Sequence, residues 1–206
     1  MTLAVTKEKA SGRVNPGVFL FWTVIMVSLS GCSANHYYSE RSPDAGYPAS
    51  FYIQGVPFFP QEEFQCGPSV LASMLNFRGN RIVPEEIARA IYLTDIQGTL
   101  KMDMVSYLRR YEGKGGIAVF ETQGDIEGIK QDIAGGYPVI VFVDLGVWGI
   151  RKGHYMLIVG YDDERGGIIA YSGRERDKFI SYHRFLKMWK RGGYWTVHIK
   201  GDSGGF

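Results

Sequence analysis

The run Gln61-Glu-Glu-Phe-Gln-Cys66-Gly-Pro-Ser-Val-Leu-Ala-Ser-Met74 constrains this chain most, because it sets a thiol at the first turn of an amphipathic helix. Val70, Leu71, Met74 and Leu75 repeat with the i, i+1, i+4, i+5 spacing that buries one helix face. Pro68 fits the first turn, where its missing N–H has no partner to lose. The helix therefore starts at or just after Cys66 and fades near Gly79. A cysteine so placed meets unpaired backbone N–H groups and the positive end of the helix dipole, which favour thiolate over thiol. The alternative is a small buried structural residue, the usual role of a lone cysteine. Two further residues weigh against it. The Gln61 side-chain amide, five residues upstream, can donate to a developing oxyanion beside the helix N–H groups. The later segment Gly153-His154-Tyr-Met-Leu-Ile-Val-Gly-Tyr161 puts an imidazole at the head of an apolar strand.

Gln61 to Cys66-Gly67-Pro68, followed by His154 with Val159-Gly160-Tyr161, resembles the bacteriocin-processing, double-glycine cysteine peptidases of the papain-like superfamily. The resemblance runs over about residues 52 to 199. It implies an α+β, papain-like fold in which Cys66 is the nucleophile, His154 its base and Gln61 an oxyanion donor together with the Cys66 backbone N–H. An acid or amide that orients the histidine completes that family's set, on the strand after the histidine strand. Here that region reads Ile169-Ala-Tyr-Ser172-Gly-Arg, and Ser172 is the nearest polar match. Asp162 and Asp163 lie eight and nine residues from His154, roughly 26 Å along an extended strand, too far to orient it. Asp177 qualifies only if the chain turns back. A serine hydroxyl stabilises imidazolium less than a carboxylate does. Two readings follow: a cysteine peptidase hydrolysing peptide bonds, or the same fold kept as a catalytically weak module that binds peptides or an envelope assembly.

The amino-terminal end speaks to location. Lys7, Lys9 and Arg13 precede the apolar run Gly17 to Leu29, which ends in Leu29-Ser30-Gly31-Cys32. A basic start, a short apolar run and small residues at its end describe a secretory signal, and the run is short for a membrane span. Cysteine after Leu-Ser-Gly resembles a bacterial lipoprotein box. Residues 1–31 are thus expected to be removed and Cys32 lipidated, anchoring the chain in the cell envelope. Ser33 resembles the outer-membrane sorting pattern in a cell with two membranes. Only Cys66 then keeps a free thiol, whereas without lipidation a disulfide between Cys32 and Cys66 competes. Losing residues 1–31 removes three basic residues and one acidic one, leaving the two signs equal in number. That balance gives no electrostatic case for nucleic acid. Lys187, Lys190 and Arg191 read as a solvated helix face. Met102 and Met104 have no metal-site spacing with histidine or cysteine, so neither metal nor cofactor is expected.

Residues 32–50 have tether composition, with His36 incidental, and 51–200 form the domain. Phe51 to Phe59 is an extended lead-in. Helices follow at Val83 to Ile91 and after Thr99, which can cap the latter, with Met104, Tyr107, Leu108 and Tyr111 as its buried stripe. The period then changes. Ile117 to Phe120 is a short strand, Asp125 to Ala134 a helix, and Pro138-Val-Ile-Val-Phe-Val143 a central strand covered on both faces. A loop with three glycines and Trp148 leads to His154. Asp162 to Gly167 is a hairpin turn, so Ile168 to Tyr171 returns antiparallel. A helix opened by Ser181 buries Phe185, Met188 and Trp189 and precedes a last strand, Tyr194 to Ile199. His183 and His198 are read as structural. Residues 201–206 form a tail. Helices first and a mostly antiparallel sheet second make an α+β domain.

Overall fold

The computed structural model describes residues 46–60 and 65–201. The signal segment, Cys32, Ser33, His36, Gln61 and the tail beyond Gly201 lie outside the described residues. In chain order the elements are β1 (Ser50–Tyr52), α1 (Cys66–Phe77), α2 (Pro84–Ile91), α3 (Lys101–Arg109), β2 (Ala118–Gln123), α4 (Ile126–Ala134), β3 (Val139–Asp144), β4 (Gly153–Asp162), β5 (Gly167–Ser172), β6 (Glu175–Ser181), α5 (Tyr182–Arg191) and β7 (Trp195–Lys200). Three helices precede one antiparallel sheet of order β2-β7-β3-β4-β5-β6. This is the α+β architecture the period change predicts.

β3 and β4 form the spine. Their register runs from Val139 opposite Ile158 to Asp144 opposite Gly153. Every residue from Tyr155 to Tyr161 is buried, so both faces of β4 are covered, as for the β-branched run of β3. Beyond the first residue of β3, β1 takes over the same edge of β4, pairing Ser50 with Asp162 and Tyr52 with Gly160. The packed structure already includes the residues before β1: Tyr161 donates its hydroxyl to the Pro48 carbonyl at 2.7 Å, and Tyr47 packs edge-on against the Tyr161 ring. α5 closes the other end of the core, with the Phe185 and Trp189 rings stacked at 5.1 Å and the Trp189 indole donating to the Trp195 carbonyl.

Three local expectations are corrected. Thr99 does not cap α3, whose N-cap position is Leu100 and has no side-chain cap bond. Its side chain instead packs on Gly67 and its carbonyl accepts the Tyr155 hydroxyl at 3.0 Å, because tertiary contact outranks local capping there. Tyr111 falls beyond the end of α3 and packs against Tyr107 from the turn. Arg191 is more than a solvated charge: its guanidinium donates to the Asp144 carbonyl at 2.6 Å and ties the end of α5 to β3. The sequence reading also lacked β6, whose Glu-Arg-Asp-Lys start is the charged composition of an exposed edge strand.

The glycine of the Val159-Gly160-Tyr161 segment has a steric cause. A Cβ on Gly160 would lie 2.8 Å from the Phe51 carbonyl oxygen and 3.1 Å from the Tyr52 ring, where β1 crosses closest to β4. Gly160→Ala should therefore destabilise the fold by roughly 1–3 kcal/mol, the usual range for overpacking. A urea midpoint equal to or above that of the wild type would show that β1 yields freely.

Candidate active site

Cys66 is the first residue of α1, and α1 aims its N-terminus at the start of β4. Three peptide N–H groups favour negative charge on the Cys66 sulfur: its own, that of Gly67 and that of Tyr155. The last belongs to the peptide unit joining Tyr155 to His154, so the helix thiol rests directly on the histidine strand. Gly67 lets the first turn of α1 pack against Thr99 and Met104. A Cβ at that position would come within 3.1 Å of Thr99 Cβ and Oγ1 and 3.3 Å of Met104 Sδ. Gly153 does the same for His154, because a Cβ there would lie 2.6 Å from the Phe142 ring. That ring is held in turn by the Lys101 ammonium, 4.4 Å from its centroid.

His154 Nε2 lies 3.1 Å from Ser172 Oγ. With Nε2–H as the donor, Ser172 accepts and Nδ1 is the remaining ring nitrogen. Ser172 is the last residue of β5 and is buried, so its hydroxyl is fixed by the sheet. The structure thus brings Cys66, His154 and Ser172 to one end of β4 and β5. The two aspartates judged too distant do sit at the opposite end of β4. Asp162 accepts the Arg165 N–H at 3.0 Å, and Asp163 pairs with Lys130 at 2.9 Å. The chain does turn back at β6, yet Asp177 accepts the Tyr52 hydroxyl at 2.6 Å. His198 Nδ1 lies 2.9 Å from the Asp132 carboxylate, which also pairs with Lys200 at 2.7 Å, while His183 is exposed on α5.

The electrostatics correct one expectation. The N–H groups at the Cys66 sulfur do favour thiolate, but burial outweighs them and pushes the thiol above its ordinary value of 9.0. Burial, with Lys152 and Lys178 adding like charge, pushes His154 down to about 4. Taken singly, each group is held neutral. Only a proton passing from one to the other makes both charges tolerable, since the ions then offset each other. Sequence reasoning missed the Tyr155 N–H, Gly153 and the two lysines, all of which act through tertiary proximity that no local pattern encodes.

Peptidase_C39-like family sequences match residues 53–195, so the chain has the fold of a cysteine peptidase and belongs to the Peptidase_C39-like family. Among solved structures it is similar to a C39-like peptidase from Bacillus anthracis at 15% identity, with a TM-score of 0.61, covering 75% of this chain and 98% of that one. The peptidase domain of Streptococcus ComA, a bi-functional ABC transporter, matches at 20% identity and TM-score 0.54, covering 72% and 100%. A double glycine motif protease from an AMS/PCAT transporter, solved with its leader peptide, matches at 16% and 0.57, covering 73% and 94%. At these identities the likeness establishes the papain-like fold. No curated protein sequence matches the chain.

Two measurements check the electrostatics. Iodoacetamide alkylation of Cys66 should climb with pH through and beyond the ordinary thiol range. Ser172→Asp should carry reactivity to lower pH, because a carboxylate favours imidazolium and hence the thiolate partner. A wild-type rate already flat from pH 5 upward would contradict the neutral pair. The second is stability. Unfolded His154 takes up its proton near 6.5 and folded His154 only near 4, so stability should fall as pH drops between those values, by at most about 3 kcal/mol. His154→Ala should flatten that part of the profile, and an unchanged slope would place the titration elsewhere.

Proposed function

We propose that this protein is a lipid-anchored cysteine peptidase that cleaves peptide bonds with Cys66 as nucleophile and His154 as its base. The observation that carries the reading is the junction of the Cys66 thiol with the His154–Tyr155 peptide unit, together with the 3.1 Å contact between His154 and Ser172. In the acylation step the sulfur forms a bond to the substrate carbonyl carbon while the thiol proton passes to imidazole. The tetrahedral oxyanion is held by the Cys66 N–H and the Gln61 amide. Collapse breaks the C–N bond, and the imidazolium gives its proton to the leaving amine. Water, deprotonated by the same histidine, then releases the acid from the thioester. Ser172 fixes the ring orientation and tautomer, as a positioning residue.

The substrate class is a peptide, by similarity to the double glycine motif protease solved with its leader peptide. Cys32 lipidation would hold the enzyme in the bacterial envelope, on the outer membrane facing the periplasm where two membranes exist. The catalytically weak, peptide-binding reading draws on one observation: a neutral hydroxyl, with two lysines nearby, stabilises imidazolium poorly.

Turnover of peptide substrates should vanish in Cys66→Ala and fall about 10²–10⁴-fold in His154→Ala, the usual contribution of a general base. Ser172→Ala should cost about five- to tenfold in kcat with little change in KM, the worth of one neutral hydrogen bond. Cleavage that survives Cys66→Ala would remove the thiol mechanism, and binding without any wild-type cleavage would select the peptide-binding reading. For the anchor, Cys32→Ala should yield a soluble or unprocessed form. A processed mass and membrane fractionation unchanged by that substitution would refute lipidation.

A further inference from the structure

We infer that the loop between β3 and β4 is a preformed apolar clamp for the leaving-group side of the substrate, with Trp148 as its anchor. This inference rests on the peptidase reading. Three large apolar side chains are displayed on four consecutive positions: Val147 is 63% exposed, Trp148 97% and Ile150 74%. An exposed apolar cluster of this kind marks a contact surface, and tryptophan is the residue most often found as its anchor. The loop is built to hold that display. Asp144 Oδ1 accepts the N–H groups of Gly146 and Lys152 at 2.8 and 2.9 Å, and Leu145 N–H donates to the Lys152 carbonyl at 2.8 Å. Within the tip, Ile150 N–H donates to the Val147 carbonyl at 3.1 Å, and Trp148 adopts a left-handed backbone with φ of 54°. Gly146 allows the tight turn, since a Cβ there would overlap the Ile150 carbonyl. A non-glycine residue in that region stores local strain, which is typical of functional loops.

Position and chemistry together choose the occupant. His154 lies four positions after Ile150, a reach of at most about 14 Å. His154 hands its proton to the departing amine, so residues following the cut bond lie beside the imidazole and the loop that leads into it. Exposed Arg151 and Lys152 flank the tip and suit an acidic residue beyond the apolar one. A lipid surface is the other conceivable occupant of a tryptophan tip. It is disfavoured by topology, because β1 brings the amino-terminal side of the domain to Gly160–Asp162, the end of β4 away from this loop.

The test uses peptides that mimic the leaving group, Leu-Leu-Asp-Glu-Gly-Gly and Gly-Gly-Asp-Glu-Gly-Gly, titrated into Cys66→Ala protein with and without Trp148→Ala. The Leu-Leu peptide should bind at least fivefold more tightly than the Gly-Gly peptide, and Trp148→Ala should abolish the difference. In parallel, wild type and Trp148→Ala digest a proteome-derived peptide library. Trp148→Ala should erase a preference for large apolar residues in the first two positions after the cut, leaving the preceding positions unchanged. Equal binding of the two peptides, or identical cleavage profiles, overturns the clamp. A Trp148-dependent blue shift with phosphatidylcholine–phosphatidylglycerol vesicles and no peptide discrimination overturns it in favour of a membrane contact. Trp148-dependent discrimination in a protein that cleaves nothing upholds the clamp and rejects the peptidase reading alone.

Discussion

The Tyr155 peptide N–H, which favours charge on the Cys66 sulfur, marks the seam between the two halves of this domain. It requires a helix terminus and a strand to approach at backbone distance, and such an approach leaves no room for side chains at the seam. Gly67 and Gly153 give close packing beside the seam on its two sides. Thr99 and Met104 fill the space beside the first and the Phe142 ring the space beside the second. The seam in turn needs a rigid floor. The antiparallel ladder from β2 to β6 supplies it, with β4 buried on both faces and pinned by β3, β5 and β1.

The closeness that makes the site also sets its charge state. Taking the thiol and the imidazole out of water disfavours thiolate and imidazolium alike, and the helix N–H groups recover only part of the loss at sulfur. A carboxylate beside the imidazole would have shifted the balance toward the ion pair. The neutral Ser172 hydroxyl fixes geometry without shifting charge. Lys152 and Lys178 push further toward the neutral ring. In the proposed reaction the arrangement would favour proton transfer coupled to attack on the carbonyl over a standing thiolate, a choice made by the side chains around the histidine.

Much of this was legible in the sequence because period and burial coincide. The Cys66 helix, the apolar run of β3, the hairpin after Tyr161 and the stripe of α5 each show a full pattern within about ten residues. Ser172 could be singled out because only a short stretch after the hairpin faces the histidine strand. β6 was not legible, since an edge strand needs no apolar face and its pairing of Ile169 with Phe179 is fixed by the turn at Gly173. Thr99 misled for the converse reason. Its local capping chemistry is sound, but its carbonyl and side chain are recruited by Tyr155 and Gly67 from elsewhere in the chain. What sequence could not supply was a set of proximities across the seam.

β4 gives the domain a polarity that bears on how the proposed chemistry and the proposed anchor would coexist. Its first residues carry His154 and follow directly from the Trp148 loop, while its last residues pair with β1 and accept the contacts of Tyr47 and Pro48. Ten residues of strand separate the two ends, roughly 30 Å of backbone laddered to β3, β5 and β1. A pull or a surface contact acting through β1 is therefore met by the hydrogen bonds of the ladder before it reaches the seam. Gly160 allows β1 to close onto the strand at that far end, as Gly153 allows Phe142 to close onto it at the near end. The two glycines mark the places where one strand meets the amino-terminal segment of the domain at one end and walls its site at the other.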